Sequence, residues 1–201
     1  MKALLKSFSY IFHPLFIPIG GTIAYFIITP KYSSLELQSG NILPIFILTV
    51  IIPIIAFFIL KNLGLIHSIF APSVAERKYP LYISITLYLM ILYKVIPQNY
   101  INELYFFFVG LIISSVTLLL LLFLKVKASI HLLGMGSLLL FLVGLSIHFE
   151  TNITFAIAIF TLCTGLVATS RLLMKAHSKA ELFIGFLVGI CSQLLLFKYW
   201  L

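Results

Sequence analysis

Hydrophobic residues run along this chain almost without a break, and polar positions are gathered into short interruptions. Seven apolar stretches stand out, at 14–30, 41–60, 80–96, 103–124, 131–149, 152–169 and 181–199. Each approaches the roughly 20 residues a helix needs to cross a hydrocarbon layer about 30 Å thick. The pattern predicts an all-α, polytopic transmembrane bundle of six to seven spans, forming one membrane-embedded domain over 1–201. Pro44 and Pro53 punctuate the second stretch, which a spanning helix tolerates when neighbours satisfy the freed backbone groups. The third and fourth stretches are separated by IPQNYINE, and the fifth and sixth only by HFETN, a tight turn at the membrane surface. No soluble linker, low-complexity segment or internal repeat interrupts the series.

Composition strengthens that picture. Hydrophobic residues make up 62% of the chain and charged residues 9%, where a soluble domain carries about 25% charged residues. Mean hydropathy is +1.21. Such a chain has too few polar groups to cover a wetted surface, so it is expected to be an integral membrane protein. The net charge of +8 does not indicate nucleic acid, because no basic tail and no interleaving of basic and aromatic residues stands outside the apolar runs. Cys163 and Cys191 lie inside apolar runs and read as buried small hydrophobes rather than a disulfide. The N-terminus places lysines before an apolar run but has no small-residue cleavage site, so it is read as retained.

Alternation of the connections places the N-terminus and the loops at 61–79, 125–130 and 170–180 on one face. Ten of the 13 lysines and arginines belong to that face: Lys2, Lys6, Lys61, Arg77, Lys78, Lys125, Lys127, Arg171, Lys175 and Lys179. The other face has Lys31 and Lys198, with Lys94 near it. The positive-inside rule makes the richer face cytoplasmic, unless some of its cations serve a substrate. Three polar stretches share it: APSVAERKYP, KVKASIH and SRLLMKAHSKAE. They bring arginines, lysines, histidines, a serine hydroxyl and a carboxylate to one rim, and ionisable groups at membrane depth tend to mark function.

The chemistry available there is narrow. A guanidinium offers a planar fork of donors matched to phosphate oxygens, and Ser129 adds a hydroxyl. His177 and Glu181 are four residues apart. With a helix starting near 177, the carboxylate can hold the imidazole Nδ1–H and leave Nε2 as a nucleophile. His131, from another loop, is placed to protonate a leaving oxygen.

These residues carry a resemblance. Ser170-Arg171, five residues, His177, three residues and Glu181 resemble the third signature of the type 2 phosphatidic acid phosphatase superfamily, with Glu for that family's Asp. Ala128-Ser129-Ile130-His131 keeps the Ser and His of the second signature, Pro-Ser-Gly-His, and lacks its Pro and Gly. Arg77 and Pro80 stand for the end of the first signature, separated by Lys78-Tyr79, and Phe70 occupies its lysine position. The resemblance covers about residues 60–195. It implies a helical membrane phosphatase that removes phosphate from a lipid phosphate or lipid pyrophosphate through a phosphohistidine, with no metal and no cofactor. His177 would be the nucleophile, Glu181 its orienting carboxylate and His131 the acid. Arg77, Ser129, Ser170 and Arg171 would bind phosphate, with Lys78 or Lys127 in place of the absent lysine. The resemblance also implies a bacterial inner membrane with the site on its outer side, against the sidedness the lysines suggest.

Plainer readings stand beside these. Charged loops often only anchor spans, and Glu181 suits a helix N-terminus in any case. Two histidines and a carboxylate could hold zinc, but the neighbouring cations favour an anion. His13, His67 and His148 read as interfacial packing residues, with His13 the first to matter if one does. Gly185 and Gly189 form a small-xxx-small pair, for packing within the bundle or for a homodimer face. Lys198, Tyr199 and Trp200 read as an interface anchor. Asn152-Ile153-Thr154 fits a glycosylation acceptor but sits too close to the membrane. Two further function classes compete: a family member without turnover that binds lipid or assists assembly, and a small transporter, which the scarcity of polar residues inside the spans opposes.

Overall fold

A computed structural model describes residues 2–67, 74–96 and 101–201, and every regular element among them is helical. In chain order these are α1 (Lys2–Ile11), α2 (Phe16–Ile28), α3 (Leu35–Phe46), a π-helical turn (Ile47–Ile51), α4 (Ile52–Asn62), α5 (Val74–Lys94), α6 (Asn102–Phe123), α7 (Ile130–His148), α8 (Thr154–Leu173), α9 (Lys179–Leu194) and the short α10 (Phe197–Trp200). Residues 68–73 of the connection expected at 61–79 and residues 97–100 of that expected at 97–102 lie outside the described residues. Five helices are long and apolar enough to cross a bilayer: Leu35–Asn62, Asn102–Phe123, Ile130–His148, Thr154–Leu173 and Lys179–Trp200. Leu5–Ile11 and Phe16–Ile28, bent by 73° at the intervening break, make a sixth if they cross as one broken span. This is the makeup of an integral membrane protein.

Three stretches differ from their expected form. The first, 14–30, is not a simple rod: α2 meets α1 at a sharp corner over His13-Pro14, where proline restricts the residue before it and Phe16 N–H closes on the His13 carbonyl at 2.9 Å. The second extends to Leu35–Asn62 and contains the π turn. Pro53 has no N–H to return to the Thr49 carbonyl, and the widened turn just before it absorbs that loss. The third, 80–96, is the later part of the 21-residue α5, whose Glu76, Arg77, Lys78 and Lys94 keep it outside the set of apolar spans.

The core is organised around α7, the most buried of the spans. Its partner α9 comes close because of two glycines. A Cβ on Gly185 would stand 2.4 Å from the Ser129 carbonyl oxygen, and one on Gly189 would stand 2.1 Å from that of Leu133. The small-xxx-small pair is therefore taken up by α7 within the chain. Phe107 and Phe141 stack at 4.3 Å between ring centroids and join α6 to α7.

Helix ends turn with αL residues. Lys125, Glu150 and Lys175 all have positive φ, near 50–60° (61°, 50° and 53°). After α8 the Lys175 N–H reaches the Leu172 carbonyl and the Ala176 N–H reaches that of Arg171, at 2.9 and 3.1 Å. This double closure, a Schellman turn, keeps the link to α9 short and sets Arg171 and His177 at the same end of the bundle.

Two surface expectations are corrected. Trp200 does not anchor at the interface. It is 6% exposed, because α10 folds it back onto Phe141 and His148, with ring centroids 5.9 and 5.7 Å away. The cysteines are free, as expected, but not both buried: Cys191 is exposed on α9, and Cys163 is half-buried where α8 packs against the core.

Candidate active site

The start of α9 is written locally. Ser178 caps the helix, its Oγ accepting from Glu181 N at 3.3 Å, in the Ser-x-x-Glu pattern of a capping box. His177 thus precedes the helix instead of opening it. Its Nδ1 donates to Glu181 Oε2 at 2.7 Å across the cap. That bond fixes the proton on Nδ1 and leaves the Nε2 lone pair available. The His177 side chain is 4% exposed and that of Glu181 26%.

A cavity of about 170 Å³ opens beside this pair. His177, His131, His13, Arg77 and Arg171 gather at one part of it, and Leu81, Leu111 and Leu118 belong to a largely apolar wall, with the hydroxyls of Thr49, Ser84, Tyr88 and Ser115 among its lining, that continues between the π turn, α5 and α6. Arg77 is 8% exposed and Arg171 3%. His131 enters from the first turn of α7, where its Nε2 meets the Ser9 carbonyl at 3.1 Å. The start of α7 is tied to the start of α9 by Ser129 N–H donating to the Glu181 carbonyl at 3.0 Å, so both imidazoles ride on one glycine-packed seam.

The electrostatics follow from this crowding. Burial is the largest influence on His177 and pushes its pKa below the ordinary histidine value. The hydrogen bond to Glu181 pulls it back up, and the guanidinium groups of Arg77 and Arg171 push it down again. The outcome favours a neutral imidazole with a lone pair, in a place that attracts an anion.

Five of the expected site residues meet here. His177, His131, Arg77 and Arg171 line the cavity, and Glu181 holds His177 from behind. The other four side chains are engaged elsewhere. Ser129 caps α7, its Oγ accepting from Leu132 N at 3.4 Å. Ser170 shares a 2.7 Å hydrogen bond with Ser9 and fastens α8 to α1. Lys78 lies over the Phe123 ring at 4.4 Å, and Lys127 is exposed beyond the end of α6. His13, expected from the sequence to be an interfacial packing residue, lines the cavity, and Ser9, which no motif marks, supplies the carbonyl that meets His131. The visible signal for His13 was its position before a proline on the charged face.

A second polar cluster sits at the far end of α2 and α7. The Glu103 carboxylate accepts from Lys31 Nζ at 2.5 Å, His148 Nε2 at 3.0 Å and the Tyr25 hydroxyl at 3.2 Å. His148 is therefore a hydrogen-bond partner of Glu103 and more than a packing residue. His67, the third histidine read as packing, pairs with Glu76 at 3.6 Å. No protein-family model, curated protein or solved structure matches this chain.

Proposed function

We propose that the protein is a membrane lipid phosphatase, acting on a lipid phosphate or lipid diphosphate through a phosphohistidine on His177. One observation carries the reading: a buried imidazole, held by a carboxylate at 2.7 Å, shares with two arginines a cavity that continues along a largely apolar wall. The cationic part suits a phosphoryl group, and the apolar wall suits a hydrocarbon tail. Nε2 would attack phosphorus in line while Arg77 and Arg171 stabilise the charge on the equatorial oxygens. Water would then cleave the phosphorus–nitrogen bond. The likeness of 170–181 to a phosphatase signature supports the same assignment. In this reading six to seven segments cross the membrane, α5 among them: at 21 residues it is about 31 Å long, enough to cross. A bacterial inner membrane is the proposed location.

The experiment is phosphate release by purified protein from diacylglycerol pyrophosphate, phosphatidic acid, phosphatidylglycerol phosphate and a polyprenyl diphosphate, for wild type and His177→Ala. Release by the wild type alone is expected, and equal rates would end the proposal. A second reading, a lipid-phosphate binder without turnover, draws on the placement of Ser129, Ser170, Lys78 and Lys127 away from the cavity. It predicts binding of the same lipids by wild type with no phosphate released from any.

A further inference from the structure

The cavity contains a third imidazole that the mechanism above does not use. His13 sits at the corner between α1 and α2, its ring edge-on to that of His131 with centroids 5.3 Å apart. The backbone N–H of Leu15 donates to His13 Nδ1 at 3.3 Å. A backbone N–H can only donate, so Nδ1 keeps its lone pair and the ring proton sits on Nε2. The same logic gives His131 a different role. Its Nε2 faces the Ser9 carbonyl at 3.1 Å. A carbonyl can only accept, so that proton is already committed and the lone pair lies on Nδ1. His177 commits Nδ1–H to Glu181 and keeps its lone pair on Nε2. Of three imidazoles on one cavity, two therefore offer lone pairs and only His13 offers an N–H.

We propose that His13, through Nε2–H, donates a hydrogen bond to the oxygen that departs from phosphorus, and that the substrate is a lipid diphosphate. The proposal rests on the phosphatase reading of this cavity. The bond from Leu15 prevents a second proton on Nδ1, so His13 acts as a neutral donor and keeps its proton, as a neutral imidazole can when it polarises an oxygen. A leaving group that takes no proton must be stable as an anion. The bridging oxygen of a diphosphate leaves as a lipid monophosphate and meets that condition, whereas a lipid alcohol does not. In the first step the His177 Nε2 lone pair forms the nitrogen–phosphorus bond while the bridging oxygen–phosphorus bond breaks, its electron pair going to the lipid phosphate. In the second, water oxygen bonds to phosphorus, the nitrogen–phosphorus pair returns to Nε2, and the water proton goes to His131 Nδ1. His131 is then the base of the second step, where the sequence suggested the acid of the first.

The test separates this donor from the turn that His13 builds. In His13→Asn the side-chain oxygen can still accept the Leu15 N–H, as asparagine does in such turns, but the ring donor is gone. Kinetics are read on farnesyl diphosphate and farnesyl monophosphate with the full chain in detergent. Wild type is expected to favour the diphosphate in kcat/KM. His13→Asn and His13→Ala should each lower kcat on it by about a hundredfold, the usual cost of losing one such donor, with KM little changed. Full activity in His13→Asn would show a role in the turn alone and overturn the proposal, as would a preference for the monophosphate. If phosphate release depends on His177 but not on His13, only this inference falls. If wild type releases phosphate from neither compound, the phosphatase reading falls and takes the donor with it.

Discussion

Among the described residues, buried charged and imidazole groups cluster at two ends of the bundle, and the ends differ in charge balance. At the Glu103 end one carboxylate meets one ammonium, one imidazole and one phenol, all from this chain, and Trp200 packs against that imidazole. At the His177 end the cavity is lined by two guanidinium groups and three imidazoles. The carboxylate behind it, Glu181, is hydrogen-bonded to one of those imidazoles. Burying charge is expensive unless opposite charge accompanies it. The first arrangement is complete in itself and reads as a clamp between α2, α6 and α7. The second carries a positive excess around an open space, which is the arrangement an anionic ligand would complete. Buried polarity alone marks neither end as a site; the excess does.

Substitutions should separate the ends by what they damage. The largest effect belongs to His177→Ala, expected to lower phosphate release by about 10⁴-fold or more, as loss of a covalent nucleophile does, with little change in melting temperature. Glu103→Ala should do the reverse. It leaves His148 and the partly exposed Lys31 without their carboxylate and should cost about 2–3 kcal/mol, below the 3–5 of a fully buried pair. Activity per folded molecule should be retained, and thermal melting in detergent beside phosphate release checks both halves. Gly189→Ala, which sets a methyl against the Leu133 carbonyl, should cost about 1–3 kcal/mol and, by spreading the α7–α9 seam, also slow turnover. An unchanged rate there would mean that the seam does not position the imidazoles.

Smaller effects sharpen the electrostatic half of the comparison. His177 must be neutral to attack, and its pKa lies below the ordinary value of about 6.5. Activity should hold as pH drops through that ordinary value and fail only as it passes the lower one. Arg171→Gln removes a cation that depresses the imidazole, so the acid limb of kcat/KM should move up by a fraction of a pH unit. Movement downward would contradict the placement of Arg171. The smallest effect is expected at Lys175, which holds φ 53° at the end of α8. Lys175→Gly should stabilise by about 1 kcal/mol, the cost a side chain bears in that conformation, and leave turnover unchanged.

Local features were legible in the sequence. Apolar runs marked the helices, of which five, or six with the bent pair, are long and apolar enough to cross a bilayer, and the spacing of His177 and Glu181 gave their contact, although the Ser178 cap moved the helix start past the histidine. What escaped depends on distant partners. Glu103 reads as a single charge at the head of a span, because Lys31, Tyr25 and His148 come to it from 45 or more positions away. Trp200 has the composition of an anchor, and only the fold of α10 over Phe141 buries it. Lys78 and Lys127 match the charge of a phosphate site, but α5 carries Lys78 to the Phe123 ring and the loop after α6 leaves Lys127 exposed at the surface. His13 offered too little: a lone histidine before proline has no pattern until the corner at residues 12–15 turns it toward His131.

Binding of orthovanadate, a mimic of five-coordinate phosphorus, tests the charge excess most directly. The account predicts that millimolar orthovanadate raises the melting temperature of the detergent-solubilised wild type. The gain should correspond to about 2.7 kcal/mol at a hundred times its Kd, and Arg77→Leu/Arg171→Leu should show no rise. A wild type that does not respond, or a double variant that responds as strongly, would contradict it.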